Sequence, residues 1–381
     1  MREWKLTTLA EVVNFSNGNA SPSRSEEGKY PVWGSNGIIG YANRSNASEK
    51  SIIIGRVGSY CGSTYFSSNP CWVTENAIIG KATDNISDAE FLYYFLSNHK
   101  LDRLRGGSGQ PLINQSILYQ VEIPLLLLEE QKQIATVLSC LDRKISNLRK
   151  QNETLESIAQ TLFKHWFVDF EFPNEDGKPY KSSGGAMVRS DLGNIPVGWT
   201  LGKFKDITAV INGRAYKQTE FREAGTPIVR IQNLTGKGQT VYSDLKLDEN
   251  KYVNKGDLIY AWSATFGPYI WRGVKSIYHY HIWRLNCFNP NFKYYLYIHL
   301  KRVSEQMKGQ GTGSIFTHIT KELMENQELS IPEDQVIKYW HGIATPIFDK
   351  IMMNHEQIQT LTQTRDRLLP KLMSGQLRIP E

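Results

Sequence analysis

The sequence has few cysteines, and their spacing excludes two common ways of stabilising a small domain. The four cysteines among the 381 residues are Cys61, Cys71, Cys140 and Cys287, and no two of them form a Cys-x-x-Cys pair. Thiols so far apart neither build a disulfide framework nor supply the clustered ligands of a structural zinc site. We therefore expect four reduced thiols and no metal site.

The sequence also lacks a long hydrophobic run. Its longest apolar stretch, 123–128, contains Pro124 and is far shorter than the roughly 20 residues that cross a bilayer. The N-terminus runs directly into strand-like sequence without the apolar core of a signal peptide. These absences predict a cytoplasmic protein, and a formal net charge of +6 is compatible with a polyanionic partner.

The motifs of several enzyme classes are absent as well. There is no Gly-x-x-x-x-Gly-Lys-Ser/Thr loop, no dinucleotide-type glycine fingerprint at a strand–helix junction and no Asn/Asp-Pro-Pro-Tyr/Phe element. One alternative interpretation is a fused modification enzyme or a nuclease with its own active site, and these absences weigh against it. We expect a protein that is not an enzyme and that holds no cofactor of its own.

What the sequence does contain is an internal repeat with a period near 200 residues. Trp4-Lys5-Leu6 matches Trp199-Thr200-Leu201, and Asn17-Gly18 matches Asn212-Gly213, both at an offset of 195. Short insertions increase the offset farther along the chain. Such a repeat indicates two similar modules in tandem.

The first part of each repeat, residues 1–125 and 197–332, alternates β-branched and aromatic runs with Gly, Asn and Ser. This pattern predicts strands, for example at 50–57, 71–80, 257–262 and 276–285. Two amphipathic stretches, 89–104 and 292–307, predict helices. Each module is therefore expected to be a mixed α/β domain.

The second part of each repeat carries a heptad pattern, which is typical of a coiled coil. In the first copy the core positions are Ile134, Leu138, Leu141, Ile145, Leu148, Asn152, Leu155, Ala159, Leu162 and Trp166. In the second copy they are Trp340, Ala344, Ile347, Ile351, Asn354, Ile358, Leu361, Arg365, Leu368 and Leu372. Because proline interrupts helical hydrogen bonding, we expect the second helix to bend near Pro346 and to end near Pro370.

The two asparagines in this pattern indicate how the helices pair. Asn152 is at an a position and Asn354 at a d position, and a positions face d positions only in an antiparallel pair. An unpaired buried amide is costly, so we expect the two asparagines to face each other and to set the register. That register places Trp166 opposite Trp340.

A helix over 129–167 would be roughly 58 Å long at about 1.5 Å per residue. Two different modules, one at each end of such a pair, suit a DNA target with two separate half-sites. Because the modules differ outside the framework residues, we expect an asymmetric target.

The chain resembles the specificity subunits of type I restriction-modification enzymes. The resemblance rests on motifs in and beside the two helices, namely Glu130-Gln131-Lys132-Gln133-Ile134, Asp142-Arg143-Lys144-Ile145, Ile195-Pro196-Val197-Gly198-Trp199, Asp349-Lys350-Ile351 and Lys371-Leu372-Met373-Ser374-Gly375. It implies a non-catalytic subunit that binds double-stranded DNA, two methyltransferase subunits and two restriction subunits. It also implies that S-adenosylmethionine, ATP and Mg are held by those partners.

These observations together predict an α+β fold with two pseudo-two-fold related target-recognition domains and an antiparallel coiled coil. We expect the first recognition domain at 1–125, the first coil helix at 126–170 and a linker at 171–196. The second recognition domain follows at 197–332, the second coil helix at 333–373 and a tail at 374–381.

Side chains that read base edges are expected in turns and glycine-rich loops, which approach a backbone closely. The candidates share a basic or amide side chain, or a hydroxyl beside one, and are Arg44, Arg56, Arg103, Arg105, Ser108, Gln110, Asn114, Arg214, Lys217, Arg230, Lys308, Gln310, Thr312, Ser314 and His318. A solvated surface loop is the alternative for each. We interpret His279 and His281 as ordinary strand histidines.

One apolar group near the end of the first coil has two interpretations. Leu162, Phe163, Trp166 and Phe167 either join an interface with partner subunits or simply cap the coil. A remaining alternative for the whole chain is a two-winged adaptor that binds proteins through its coil and never reads DNA.

Overall fold

The computed structural model describes residues 4–104, 111–236, 238–263, 265–309 and 320–379. The chain divides into two compact units, Met1–Asn147 with Gln357–Glu381, and Leu148–Glu356. Among the described residues no helix is apolar enough over a sufficient length to cross a membrane.

The first unit holds one mixed α/β domain and parts of two long helices. Its strands are β1 (Lys5–Thr8), β2 (Val13–Asn17), β3 (Tyr30–Gly34), β4 (Gly37–Ala42), β5 (Ser51–Gly55), β6 (Thr64–Ser67), β7 (Trp72–Val73), β8 (Ala77–Ala82) and β9 (Glu122–Leu125). Its helices are α1 (Leu9–Val12), α2 (Ala89–Asn98), α3 (Gln115–Tyr119) and the first half of α4 (Leu128–Phe167).

The second unit holds the other mixed domain and the remaining parts of the long helices. Its strands are β10 (Met187–Ser190), β11 (Gly193–Pro196), β12 (Thr200–Lys203), β13 (Thr208–Asn212), β14 (Thr226–Val229), β15 (Val241–Ser243), β16 (Tyr252–Val253), β17 (Leu258–Ala261), β18 (Gly267–Ile270), β19 (Ser276–Tyr278), β20 (Ile282–Cys287) and β21 (Glu328–Ile331). Its helices are α5 (Phe204–Ile207), α6 (Ile231–Leu234), α7 (Lys293–Gly309), α8 (Lys321–Glu325) and the first part of α9 (Asp334–Met373).

The sheets of the two domains have the same topology, which confirms the repeat. The order β2-β8-β5-β6 in the first corresponds to β13-β20-β17-β18 in the second, and the pair β1-β9 corresponds to β12-β21. The order β4-β3-β7 likewise corresponds to β15-β14-β19, with β16 added at the edge. In both domains the equivalent strand pair of this smaller sheet, β3 with β7 and β14 with β19, is parallel. The mixed α/β prediction is therefore confirmed for each module.

Two strands predicted as continuous are each divided. The 71–80 stretch forms β7 and β8, and the 276–285 stretch forms β19 and β20. In each domain the chain leaves the smaller sheet after the first strand and joins the four-stranded sheet with the second. Hydrophobic alternation continues through both strands because both are buried, so it does not reveal the crossing.

The long helices α4 and α9 have 40 residues each and pack together. Within the second unit Asn354 Nδ2 donates a hydrogen bond of 2.9 Å to Asn152 Oδ1. The rings of Trp166 and Trp340 lie 5.8 Å apart in the same unit. The antiparallel register predicted from the asparagines is confirmed.

The second helix does not end at Pro370, as the proline predicted, but at Met373, which is the last residue of the range given above for the second coil helix. α9 runs through Pro370 to Met373, and the chain then turns at Gly375 with φ +71°. A proline removes only one donor, and the flanking bonds continue, as when Ser374 N–H donates to Pro370 O. Glycine ends the helix because its left-handed conformation is strained for other residues. The bend predicted near Pro346 stays a prediction.

Candidate DNA interface

The repeated Asn-Gly pair lies where each domain's backbone crosses from sheet to sheet. A Cβ on Gly18 would lie 2.1 Å from Thr74 O, and a Cβ on Gly213 would lie 2.3 Å from His279 O. Only glycine fits at both places. The close approach pairs the next residue with the crossing segment, so that Asn19 bridges Thr74 in the first domain and Arg214 bridges His279 in the second.

In the first domain, three loops that carry sequence candidates lie together. Ile113 N–H donates to Arg56 O over 3.0 Å, which joins the segment after β5 to the segment before α3. Gly62, at φ +87°, lies so near the turn before the first glycine-rich stretch that a Cβ would be 2.7 Å from Asp102 N. The structure therefore brings together the loops of Arg56, Arg103 and Asn114.

Several candidates lie outside the described residues. These are Arg105, Ser108 and Gln110 in the first domain, and Gln310, Thr312, Ser314 and His318 in the second. Lys308 lies on α7, and its side chain is outside the described part.

Asn114 has a structural role in the local fold. Its side chain Oδ1 accepts a hydrogen bond of 2.9 Å from Ile117 N–H and caps the N-terminus of α3. An N-terminal cap satisfies a helix donor that has no partner within the helix. The presence of asparagine at position 114 is therefore partly explained by this capping bond, without a contact to DNA.

We expect Asn114→Ala to lower the free energy of unfolding by about 1 kcal/mol, because the cap is lost. Asn114→Asp keeps an acceptor at the same place and should preserve stability. Urea denaturation of both variants checks this. Equal stability of the alanine and asparagine proteins would contradict the capping role.

The remaining arginines of the first domain differ in their surroundings. The Arg44 guanidinium is exposed and lies over the Trp72 ring, 4.7 Å from its centroid. Arg56 is half-buried, and its Nε atom has no hydrogen-bond partner in the part of the chain that the structure describes. The charge of Arg44 is therefore exposed at the surface, whereas the Nε–H group of half-buried Arg56 is a donor without an acceptor among the described residues.

In the second domain Arg214, Lys217 and Arg230 lie on neighbouring loops. Arg214 forms two hydrogen bonds to Glu220, of 2.6 and 3.1 Å, and Lys217 N–H also donates to this carboxylate. The Arg230 guanidinium lies 5.9 Å from the Phe221 ring. Arg214 is thus held in one orientation by Glu220.

The two histidines lie just outside the strands, in the connection between β19 and β20, where His279 forms a parallel β-bridge with Arg214. The His279 ring is tilted against that of Tyr216, with 6.4 Å between ring centroids, and its centroid lies 4.4 Å from that of Tyr280. Trp262 Nε1 donates to Tyr280 O over 2.7 Å. The structure thus adds Tyr216, Trp262 and the 279–281 connection to the basic loops. The signal in the sequence was the mixture of aromatic and basic residues, which is common in nucleic-acid interfaces.

The described residues contain no group of histidine, cysteine, aspartate and glutamate side chains arranged to hold a metal ion. Burial, followed by the charges of His281 and Arg230, lowers the pKa of His279 from 6.5 to about 4. His279 is therefore neutral near pH 7 and can either donate or accept a hydrogen bond.

This pKa shift predicts that acid destabilises the second domain. An unfolded histidine binds its proton near pH 6.5, whereas folded His279 binds it only near pH 4. Between these values the unfolded chain holds more protons, so the free energy of unfolding decreases as the pH falls through this window. We expect His279→Gln to lose less stability than the wild type between about pH 7 and about pH 5. An identical loss in urea denaturation would contradict the assignment.

The apolar residues at the end of α4 are mostly buried within the second unit. Phe163, Trp166 and Phe167 are 2%, 5% and 6% exposed, and Leu162 is half-buried. The three aromatic rings lie within 6 Å of the Trp340 ring, at 5.9, 5.8 and 5.2 Å. These contacts favour the coil-capping interpretation, because three of the four side chains present almost no surface to a partner.

A tandem pair of mixed domains, each followed by a 40-residue helix and each carrying arginine-bearing loops, defines a protein built by duplication of one domain–helix unit. The family model described as the type I restriction modification DNA specificity domain matches residues 1–157 and 196–363. The chain belongs to this family of DNA specificity subunits. It is the DNA-recognition component of such an enzyme and is not itself catalytic.

Similar proteins support this assignment. The chain is 33% identical over 317 residues to the type I restriction enzyme MjaIX specificity subunit of Methanocaldococcus jannaschii, covering 77% of this chain and 70% of that protein. It is 23% identical over 313 residues to the HindI specificity subunit of Haemophilus influenzae, covering 65% and 67%. The solved S subunit from M. genitalium has a TM-score of 0.65 at 18% identity, covering 97% and 96%, which is a likeness of fold.

Proposed function

We propose that each recognition domain reads one half of a bipartite, asymmetric DNA target. The supporting observation is the pair of equivalent bridges at the sheet crossing. Asn19 and Thr74 occupy this place in the first domain, whereas Arg214 and His279 occupy it in the second. Because Thr74 is 1% exposed, the exposed side chain at this place in the first domain is that of Asn19, and its amide recognises different base edges from the Arg214 guanidinium. Two domains with one scaffold and different side chains should therefore select different half-sites.

The chemistry of the complex would be carried out by other chains. We propose as partners two methyltransferase subunits, with S-adenosylmethionine, and restriction subunits that use ATP and Mg. Family membership implies both kinds of partner, and the chain has none of the corresponding nucleotide motifs. Its own contribution would be to bind the DNA and to hold the methyltransferases at a defined place.

Mapping methylated adenine across the host genome, with and without this gene, tests the proposal. We expect methylation to disappear at one asymmetric motif made of two half-sites and a fixed spacer. Restoring the gene should restore the motif. A second strain carrying the Arg214→Ala variant should no longer methylate the motif, because the half-site read by the second domain is no longer recognised. The variant protein should remain folded. Unchanged methylation in a host that expresses the partner methyltransferase would contradict DNA reading and favour the protein-binding adaptor.

A further inference from the structure

In the first unit, a carboxylate of α4 is held by the recognition domain and by α9. Tyr94 of α2 donates a hydrogen bond of 2.7 Å to Asp142 Oδ2. Arg365 of α9 lies 2.6 Å from Asp142 Oδ1. Tyr94 is 5% exposed, so its hydroxyl is shielded from competing water. One carboxylate thus joins the domain helix α2 to both long helices.

The second unit contains a similar hydrogen-bonded arrangement, also centred on a carboxylate of α4. Tyr297 and Lys301 of α7 both donate to Glu156 Oε1 of α4, each over 2.6 Å. Helix α7 occupies in this domain the place that α2 occupies in the first, because both follow the last strand of the four-stranded sheet. A buried tyrosine, a carboxylate of α4 and a neighbouring cation therefore occur twice.

The protonation states suit charge-assisted hydrogen bonds. Burial, and then the Asp142 carboxylate, raise the pKa of Tyr94, so this hydroxyl keeps its proton and donates it. Burial and Glu156 act on Tyr297 in the same way and raise its pKa. Burial acts to raise the pKa of Glu156, but hydrogen bonds from Lys301 and Tyr297 outweigh it and lower the pKa. The Glu156 carboxylate therefore accepts as an anion, and Asp142 is in an ion pair with Arg365. Hydrogen bonds to such charged groups are short and strong.

These bonds are directional, unlike the apolar packing around them. Phe91 and Phe95 of α2 share the first unit's core with Leu138 of α4. Apolar contact of this kind is stabilising without fixing an angle. A hydrogen bond to a carboxylate is restricted in both length and angle. In the first unit Gln131 of α4 adds directional bonds, accepting from Asp88 N–H and donating to Ile86 O. The tyrosine–carboxylate contact is the directional contact with α4 that recurs in both units.

We propose that Asp142 and Glu156 are positioning residues that orient the two recognition domains on α4 and thereby limit the spacer length tolerated between the half-sites. The two residues occupy the same heptad position, two heptads apart, each directly after a core leucine, Leu141 or Leu155. Each domain is thus held from the same helical position. This inference rests on the proposed bipartite reading, since spacer length has a meaning only for two half-sites.

The test uses the full chain in complex with its methyltransferase partner. Methylation rates are measured on the mapped target and on targets whose spacer is one base pair longer or shorter, a shift of about 3.4 Å. The variant is Tyr94→Phe with Tyr297→Phe, which removes two hydroxyls and leaves rings and charges in place. We expect the preference for the correct spacer to fall about tenfold, since a lost hydrogen bond to a charged group changes an equilibrium by about this factor.

The matched control is Tyr119→Phe with Tyr295→Phe. These hydroxyls also make hydrogen bonds, Tyr119 with Phe15 N–H and Tyr295 with Ser330 O, but entirely within their own domains. The proposal requires the control to keep the wild-type spacer preference. It is overturned if the control loses the preference equally, or if the Tyr94/Tyr297 variant retains it. A wild-type protein that methylates all three spacers equally would instead contradict bipartite reading, and this inference with it.

Discussion

Asn354→Leu is expected to lower the free energy of unfolding by about 1–3 kcal/mol, because it leaves a buried amide without its partner. Asn354 is 1% exposed, and its Nδ2 atom donates to Asn152 Oδ1. Leucine fills the space and cannot satisfy Asn152. Urea denaturation followed by circular dichroism measures the loss.

The double variant Asn152→Leu with Asn354→Leu should recover this stability or exceed the wild type. In the part of the chain that the structure describes, Asn152 Nδ2 and Asn354 Oδ1 have no hydrogen-bond partner, so the native pair is only partly satisfied. Replacing both partners by apolar groups removes that cost. The asparagine pair would then fix the register of α4 against α9 while lowering the free energy of unfolding. A double variant less stable than the single one would contradict this account.

Trp340→Ala is expected to cost about 3–5 kcal/mol, the range for removing a buried aromatic side chain. Trp340 is fully buried and contacts Phe163, Trp166 and Phe167 by ring edges and faces. The cavity would lie where α9 meets the end of α4 in the second unit. Thermal unfolding should therefore begin at a lower temperature than in the wild type.

Trp340→Phe is the control for that cavity. Phenylalanine keeps most of the ring contacts and removes Trp340 Nε1, which has no partner among the described residues. We expect a much smaller loss than for alanine. Equal losses in the two variants would contradict the account in which the ring contacts kept by phenylalanine stabilise this part of the core.

The helical part of the fold was predictable because its pattern is periodic. A heptad defines which residues face the partner helix, and the two asparagines select one register out of several. That is why the pairing of Asn152 with Asn354 followed from spacing alone. The duplication was equally visible, since Asn17-Gly18 and Asn212-Gly213 keep glycine where a Cβ would collide with the crossing backbone.

The candidate interface was less predictable because its members are distant in sequence. Arg214 and His279 meet through a bridge between segments more than 60 residues apart, and no local pattern indicates such a contact. The 279–281 connection could not be predicted from the hydrophobic pattern either, because the strands on both sides of it, β19 and β20, are buried. Likewise, apolarity alone does not distinguish an exposed docking surface from the buried rings of Phe163 and Phe167.

Removing one heptad from each long helix tests most directly whether a bipartite target is read at a spacing set by the helices. Deleting residues 144–150 and 356–362 together keeps the asparagine pair and the contact of Asp142 with Arg365. Seven residues are nearly two helical turns, so each helix is shortened by about 10 Å with little rotation.

Genome-wide mapping of methylated adenine in a host carrying this variant gives the result. We predict the same two half-sites with a spacer shorter by about three base pairs, at about 3.4 Å each. Methylation of the original motif with its original spacer would contradict the account.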